Sequence, residues 1–472
     1  MSKYPFLPKA KELINRVGTL GLTKNITLIL ILIFSGTVVF DSTIVRYVTY
    51  TGIELPIWLT TVIFVILSAI FVVSSTIMLA SVGKIVWNYK VSARTRRMEY
   101  LHITVSAVLV LTSSIIITII LQMIFLSNYN LFLVRILTYV SHTSPLVYLL
   151  FLIFLIGSWP TSRKNLIIIL YTFSFLLVSV NLVVSLIYLE THFSRPDTTH
   201  EIKPYPIIAF VANIHGGPFT SLLSMIFDGL SLLSYLFMWV ATALLLSYYR
   251  YRMGKIMFIF LMSLPLVYYV LPFQNYFGNV LFTMLQGFPF AIILVYLLIF
   301  SASKQVGALL FCLSFWTASK FVRETRLQKS LLMSSIGMVI LFGSIALTPL
   351  QYHVYPPYGL ITEAFIPIGA YLLFVGIFSS TIYISQDSAL RREFYRSAAS
   401  QLDLLKTIGV SQMEKEFEKK VEDIQAHFRQ SGISENVYMQ EEMDEHAVKE
   451  TLREVLNELY SRRTKEEAHE PS

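Results

Sequence analysis

The chain has 472 residues, of which 55% are hydrophobic and only 14% are charged, and its formal net charge is +8. A water-soluble domain of this length cannot bury so many apolar side chains, so the composition excludes a soluble globular protein and predicts that a lipid bilayer is the main solvent. The single cysteine, Cys312, excludes an intramolecular disulfide framework and a cysteine-rich metal site.

Apolar runs of about 20 residues, each long enough to cross the hydrocarbon core as a helix, recur along the chain up to residue 385. The first run, 26–40, follows a basic segment but precedes no small-residue cleavage site, so we predict an uncleaved first helix. The fold class predicted is all-α: a polytopic helical membrane domain over residues 1–385. Its ten predicted spans lie near 26–45, 57–82, 101–126, 134–158, 166–189, 222–248, 256–272, 278–301, 329–349 and 361–385.

The basic residues predict the orientation of these spans. With the N-terminus inside, the cytoplasmic connections carry 20 Lys and Arg residues and the opposite side carries four, a bias that sets topology. We therefore predict a cell-membrane protein with both termini in the cytoplasm. The short apolar piece 305–320 lies between basic clusters, so we predict a cytoplasmic interfacial or re-entrant helix. Segment 207–221 contains Gly216, Gly217 and Pro218 and is predicted as a re-entrant or surface element on the other side.

The tail, 386–472, has 13 Lys and Arg against 19 Asp and Glu residues and reads as three amphipathic helices. A capping box, Ser411 to Glu414, begins the second helix. Each apolar stripe must be buried, either in a self-contained bundle, in a coiled-coil dimer of tails, against a separate cytoplasmic protein, or by docking of the acidic tail onto the basic inner loops. The predicted interaction face comprises Phe417, Val421, Ile424, Phe428, Val448, Leu452, Val455 and Leu459.

Motifs that carry enzyme chemistry are missing from the sequence. No Walker loop, zincin helix, Rossmann fingerprint, kinase signature or nucleophile elbow stands in the context that its function requires. The sequence therefore argues against an enzyme, predicts no cofactor and gives no indication of a nucleic-acid partner. The bilayer itself, and a protein bound through the tail, are the partners that it predicts.

Polar residues at membrane depth are the remaining candidates for function, because they are costly there and tend to be functional. The candidate intramembrane polar site comprises Asp228, Arg135, His142, His215 and Glu363. Asp41 and His353 lie on the same predicted side of the membrane as this site.

Three interpretations of these residues stay open. In the first, Asp228 pairs with Arg135, or is capped by Ser and Thr neighbours, and holds the bundle in register. In the second, Asp228 and a neighbouring histidine form a proton or ion relay. In the third interpretation His215, Asp228, His353 and Glu363 bind a divalent metal or a small ligand, although no HxxxH spacing joins them.

The last third of the chain carries three distinctive pieces: YPPYGL at 355–360, GAYLLFVGIFSSTIYISQDSALRREFYRSA at 369–398, and LLKTIG at 404–409. In these pieces the chain resembles a group of archaeal multi-spanning membrane proteins that have no assigned activity. The resemblance implies an archaeal cell membrane and brings no catalytic residue with it.

The last predicted span continues into the tail without a glycine or proline between 385 and 408. A continuous helix can carry a displacement from the membrane to the cytoplasm, so we predict a sensing or scaffolding role with signal coupling through the tail. The alternative is a secondary transporter or ion-coupled permease that uses Asp228. An intramembrane enzyme is a further alternative, for which no paired catalytic constellation is found.

Overall fold

A computed structural model describes residues 24–51, 56–87, 93–157, 166–193, 201–202, 218–247, 250, 254–266, 290–322, 325–345 and 355–386. These residues are almost all helical. The helices are α1 (Lys24–Thr51), α2 (Ile57–Trp87), α3 (Ala93–Leu126), α4 (Leu131–Gly157), α5 (Leu166–Phe193), α6 (Pro218–Leu246), α7 (Lys255–Ser263), α8 (Phe290–Phe321), α9 (Thr325–Ser344), α10 (Leu360–Ala364) and α11 (Ile366–Gln386). Two short strands, β1 (Tyr129–Asn130) and β2 (Glu201–Ile202), pair in antiparallel fashion.

Eight helical segments in the described part of the chain are long and apolar enough to cross a membrane. This finding confirms the predicted class of polytopic helical membrane protein, because so many such segments occur in one chain. The eight segments are Lys24–Ile44, Ile57–Gly83, Met98–Leu126, Leu131–Gly157, Leu166–Thr191, Met225–Leu246, Thr325–Ser344 and Leu360–Ile384. The tail, 387–472, with its predicted interaction face, lies outside the described residues, as does 207–217.

The structure differs from the sequence prediction around 305–320. We expected a span ending at 301 and a separate interfacial or re-entrant helix, but α8 is a single helix of 32 residues. It runs antiparallel to α9: the Gln305 amide donates to the Gly343 carbonyl (3.0 Å), and the Ser335 hydroxyl donates to the Cys312 carbonyl (3.2 Å). Residues 305–319 therefore belong to a longer helix that packs along a candidate span.

The apolar face of α8 explains this difference. Ala308, Phe311 and Phe315 are buried in the main core, and Gln305 and Cys312 form hydrogen bonds with α9. Lys304 and Lys320 make the segment look short in the sequence, but burial of a helix depends on its face rather than on the residues that bound it.

Helix α11 is buried along most of its length, and only Phe378, Ile382 and Tyr383 among its described side chains are partly exposed. Glycines allow it to approach α9 closely: a Cβ atom at Gly337 would lie 2.5 Å from the backbone N of Leu373, and one at Gly376 would lie 2.6 Å from the backbone N of Ser334. Small residues of this kind let membrane helices pack backbone to backbone. The last span is thus held firmly among its neighbours.

Candidate functional site

A tight turn at 355–359 leads into α10 and sets the geometry of the candidate site. Gly359 has φ of 89°, a left-handed conformation that glycine adopts without steric cost. The Tyr358 hydroxyl donates a hydrogen bond of 2.8 Å to the Thr60 carbonyl on α2. Burial, with the nearby charge of Asp41, raises the pKa of the Tyr358 phenol, so this hydroxyl keeps its proton and stays a donor.

Asp41 holds the start of α10 in place. Its carboxylate accepts hydrogen bonds from the backbone N–H of Gly359 (3.0 and 3.1 Å to the two oxygens) and from the Thr362 hydroxyl (2.6 Å). The side chain is fully buried. Asp41 therefore caps the first turn of α10 from another helix, in the manner of an N-cap residue. We refer to the end of the bundle that contains Asp41 and Gly359 as the Asp41 end.

Glu363, the residue after Thr362, faces His142 of α4. Glu363 is 2% exposed and His142 is 3% exposed. The Glu363 Oε2 atom lies 3.8 Å from His142 Nδ1, which is beyond hydrogen-bond distance. Among the described residues, Oε2 has no hydrogen-bond partner.

The imidazole of His142 is oriented by two further contacts. Nδ1 lies 2.9 Å from the Thr138 carbonyl, and Nε2 lies 3.2 Å from the Ser185 hydroxyl on α5. A carbonyl can only accept, so Nδ1 carries the proton, and Nε2 of the neutral ring accepts from Ser185. The protonated nitrogen therefore faces both the Thr138 carbonyl and the carboxyl group of Glu363.

Other buried polar groups lie on the same two helices, α4 and α5. The side-chain amide of Asn181, one helical turn before Ser185, and the Ser141 hydroxyl are buried and have no partner within the described residues. Pro145 lies inside α4 and has no N–H, so the helix supplies no donor for the Ser141 carbonyl. Buried polar atoms are nearly always paired in proteins. The parts of α4 and α5 that carry His142 and Ser185 therefore also carry buried polar groups without described partners.

The structure brings only some of the predicted site residues into contact. Glu363 and His142 come together, whereas Arg135 pairs with Glu190 of α5 at 2.5 Å, with side-chain exposures of 38% and 42%. The Tyr139 hydroxyl also donates to Glu190. The predicted pairing of Asp228 with Arg135 stays a prediction. Asp228 is partly buried on α6.

His215 and His353, which the metal interpretation requires, lie outside the described residues. Within the described ranges, no group of three or more histidine, cysteine or acidic side chains is arranged to hold a metal ion. Sequence reasoning missed the connections of Asp41 and the contribution of Ser185. Asp41 and Asn181 were visible as polar residues in or next to apolar runs, but nothing in the sequence paired them with distant partners.

Comparison with known proteins adds no assignment to these observations. No protein-family model, curated protein or solved structure matches the chain.

Proposed function

We propose that the protein is a proton-responsive sensor of the cell membrane, which binds a proton at the His142–Glu363 pair and passes the change through α11 to the cytoplasmic tail. One observation carries this proposal: a buried carboxyl oxygen without a hydrogen-bond partner in the described residues lies 3.8 Å from a buried imidazole. Ionisable residues inside a membrane mark proton relays and ion pathways in many membrane proteins.

Binding or loss of a proton changes the net charge of the His142–Glu363 pair. With one proton shared between the carboxyl group and the imidazole, the pair is neutral, and losing or gaining one leaves a net charge in the core. A buried charge without a partner is expensive. The charge of Asp41 also acts on Glu363, so loss of the proton places two negative charges near the start of α10. We expect α10 to rearrange in response.

The path from this site to the tail is short in sequence. Glu363 belongs to α10, α11 follows directly, and Gln386 at its other end precedes the tail. The bias of basic residues supports a cytoplasmic location for both termini, and the resemblance of the last third supports an archaeal membrane. The tail would then bind a cytoplasmic protein or a second tail through the face that contains Phe417 and Ile424.

Limited proteolysis of the tail tests the sensor. Purified full-length protein in liposomes is digested at pH values between about 5 and 8, where histidine changes charge, with a short reference peptide to correct for the protease. We expect the rate of tail cleavage to depend on pH in the wild type. The dependence should disappear in Glu363→Gln and His142→Gln.

The matched control is Asp228→Asn, which removes another intramembrane carboxylate, on α6. It should retain the wild-type pH dependence. A wild-type cleavage rate that does not change with pH would contradict the sensor, and so would loss of the dependence in Asp228→Asn but not in Glu363→Gln.

A secondary transporter or ion-coupled permease is the second candidate function. The buried amide of Asn181 favours it, because this amide has no hydrogen-bond partner among the described residues and an amide can both donate to and accept from a small polar solute. A transporter should take up a solute from a panel of amino acids, sugars and inorganic ions when a proton gradient is imposed. Uptake should survive truncation after Asp387 and be lost in Asn181→Leu. Absence of gradient-driven uptake for the whole panel would count against transport of these solutes.

A further inference from the structure

The second ring nitrogen of His142 has its described partner on a different helix. Nε2 lies 3.2 Å from the hydroxyl of Ser185 on α5, and Ser185 is 2% exposed. The other described neighbours of the imidazole are the Thr138 carbonyl of its own helix and the carboxyl group of Glu363. Ser185 is therefore the side chain through which α5 acts on the candidate proton site.

Nε2 is the atom at which His142 takes up a second proton. Nδ1 already carries one in the neutral ring, because it faces the Thr138 carbonyl, which can only accept. A further proton must bind the lone pair of Nε2, the same lone pair that accepts from Ser185 in the neutral state. Protonation thus turns Nε2 from a neutral acceptor into a charged donor.

A serine hydroxyl fits both states of the ring, because it has one O–H donor and two lone pairs. When the ring is charged, Nε2–H donates to the Ser185 oxygen. The serine O–H then turns to the backbone carbonyl of Asn181, four residues earlier, which is a common partner for helical serines. Ser179 on the same helix makes this bond to the Phe175 carbonyl at 2.9 Å. Ser185 therefore leaves no hydrogen-bonding group unpaired in either state.

We infer that Ser185 is a positioning residue that sets the affinity of His142 for its second proton. This inference rests on the proposed proton site at the His142–Glu363 pair and adds a residue that regulates it. An apolar residue at position 185 would leave Nε2 without a described partner in both states. The loss weighs more on the charged ring, because a buried charged donor without an acceptor costs more than a neutral acceptor without a donor. Ser185 therefore favours proton binding.

The charged groups closest to this contact lie on α10 and α5. Glu363 faces the imidazole from α10, and the charge of Asp41 acts on Glu363 in turn. On α5, Glu190 is the charged residue whose side chain the structure describes, and it pairs with Arg135. Glu363 is thus the ionisable neighbour of His142, and Ser185 is the uncharged one.

Helices α3 and α11 also pack against α4. Among their described side chains, the groups that are charged or titrate near neutral pH are Glu99 and His102. Both lie near the start of the candidate span Met98–Leu126. The other end of that span belongs to the Asp41 end, because the Tyr355 hydroxyl donates to the Met123 carbonyl (3.4 Å). Neither group is therefore placed to face His142.

The titration of His142 tests the role of Ser185. Full-length protein with ¹⁵N-labelled histidine is reconstituted in liposomes, and the imidazole resonances are recorded from about pH 3 to pH 8, which covers the histidine pKa values found in proteins. The resonances of His142 are those absent from His142→Gln. Unchanged resonances of the other histidines show that a variant keeps its fold.

We expect Ser185→Ala to move the pH of half-protonation of His142 downward by about one unit, a tenfold loss of proton affinity. Ser185→Thr keeps a hydroxyl and should restore the wild-type value. The matched control is Ser179→Ala, which removes a buried hydroxyl of the same helix that bonds within that helix. It should titrate like the wild type.

Three results would overturn the role of Ser185. The half-protonation point could be the same in the wild type and Ser185→Ala, it could move equally in Ser179→Ala, or wild-type His142 could take up no proton over the whole range. Tail digestion of the same proteins separates these results from failure of the sensor. If Ser185→Ala shifts the titration while wild-type cleavage ignores pH, the role of Ser185 stands and the sensor is wrong. If wild-type cleavage depends on pH through Glu363 while Ser185→Ala leaves the titration unmoved, the sensor stands and the role of Ser185 is wrong.

Discussion

The Thr362 hydroxyl donates a hydrogen bond of 2.6 Å to the Asp41 carboxylate, across a sequence separation of 321 residues. This bond joins the first described helix to the start of the last span. It also fixes the backbone next to Glu363, so the geometry of the candidate proton site depends on a contact between the two ends of the membrane domain.

Removing that bond should destabilise the protein. Thr362→Val keeps the shape of the side chain but leaves the buried carboxylate with only backbone donors, the N–H groups of Gly359 and Thr362. Hydrogen bonds to charged groups contribute roughly 1.5–3 kcal/mol, so we expect a loss of about that size in the free energy of unfolding, measured by thermal unfolding in detergent. Thr43→Val is the control, because its hydroxyl bonds within its own helix to the Val39 carbonyl. An equal loss in both variants would show that the long-range bond has no special weight.

The glycine contacts between α9 and α11 predict a steric penalty. A Cβ atom at Gly376 would lie 2.4 Å from Ser334 Oγ and 2.6 Å from its backbone N. Gly376→Ala must therefore push the two helices apart, and we expect a cost of about 1–3 kcal/mol, which is typical of overpacking. A Cβ atom at Gly36, on α1, would have nothing within 4 Å, so Gly36→Ala should leave the melting temperature unchanged or raise it. Equal behaviour of the two variants would contradict the close helix approach.

Chemical labelling can test the predicted orientation. In a Cys312→Ser background, Ser127→Cys introduces a thiol at an exposed position between α3 and β1, and Thr325→Cys introduces one at the exposed start of α9. A membrane-impermeant maleimide added to intact cells should label the first variant and spare the second until the cells are permeabilised. The reverse pattern would place the N-terminus outside and overturn the orientation derived from the basic residues.

The stability of the protein at alkaline pH should depend on Tyr129. Burial, with its neighbour Tyr355, raises the pKa of the Tyr129 phenol well above its ordinary value. In the unfolded chain the phenol ionises above about pH 10, whereas in the folded protein it stays neutral. Its contribution is therefore fully present below that pH and is lost as the pH rises through the folded pKa, by up to roughly 1.4 kcal/mol per pH unit.

Tyr129→Phe removes this ionisable group, so its free energy of unfolding should fall less steeply above about pH 10 than that of the wild type. Tyr100→Phe, at an exposed position, should follow the wild-type curve. Denaturant unfolding at a series of alkaline pH values gives both slopes. Parallel curves for Tyr129→Phe and the wild type would contradict the assignment.

The sequence alone determined the class of this protein, because hydropathy is a local property: each apolar run of about 20 residues carries its own evidence for a membrane helix. It also made His142 and Glu363 visible, since a charged or titratable residue in an apolar run stands out wherever its partner lies. The bounds of α8 were harder to predict. Lysines at both ends of 305–320 suggested an isolated short helix, and only the packing against α9 revealed one long helix.

Only the tertiary structure shows which polar residues are in contact. Depth in the membrane made Arg135 a candidate, yet depth does not fix the direction in which a side chain points around its helix, and only the packing shows that Arg135 pairs with Glu190. The same rotational freedom hid the approach of Glu363 to His142 and the contact of Asp41 with Gly359 and Thr362. These contacts join residues that are far apart in the sequence, and they depend on how whole helices pack. Glycines such as Gly376 allow that packing. A linear pattern of hydrophobic and polar residues carries no record of that arrangement.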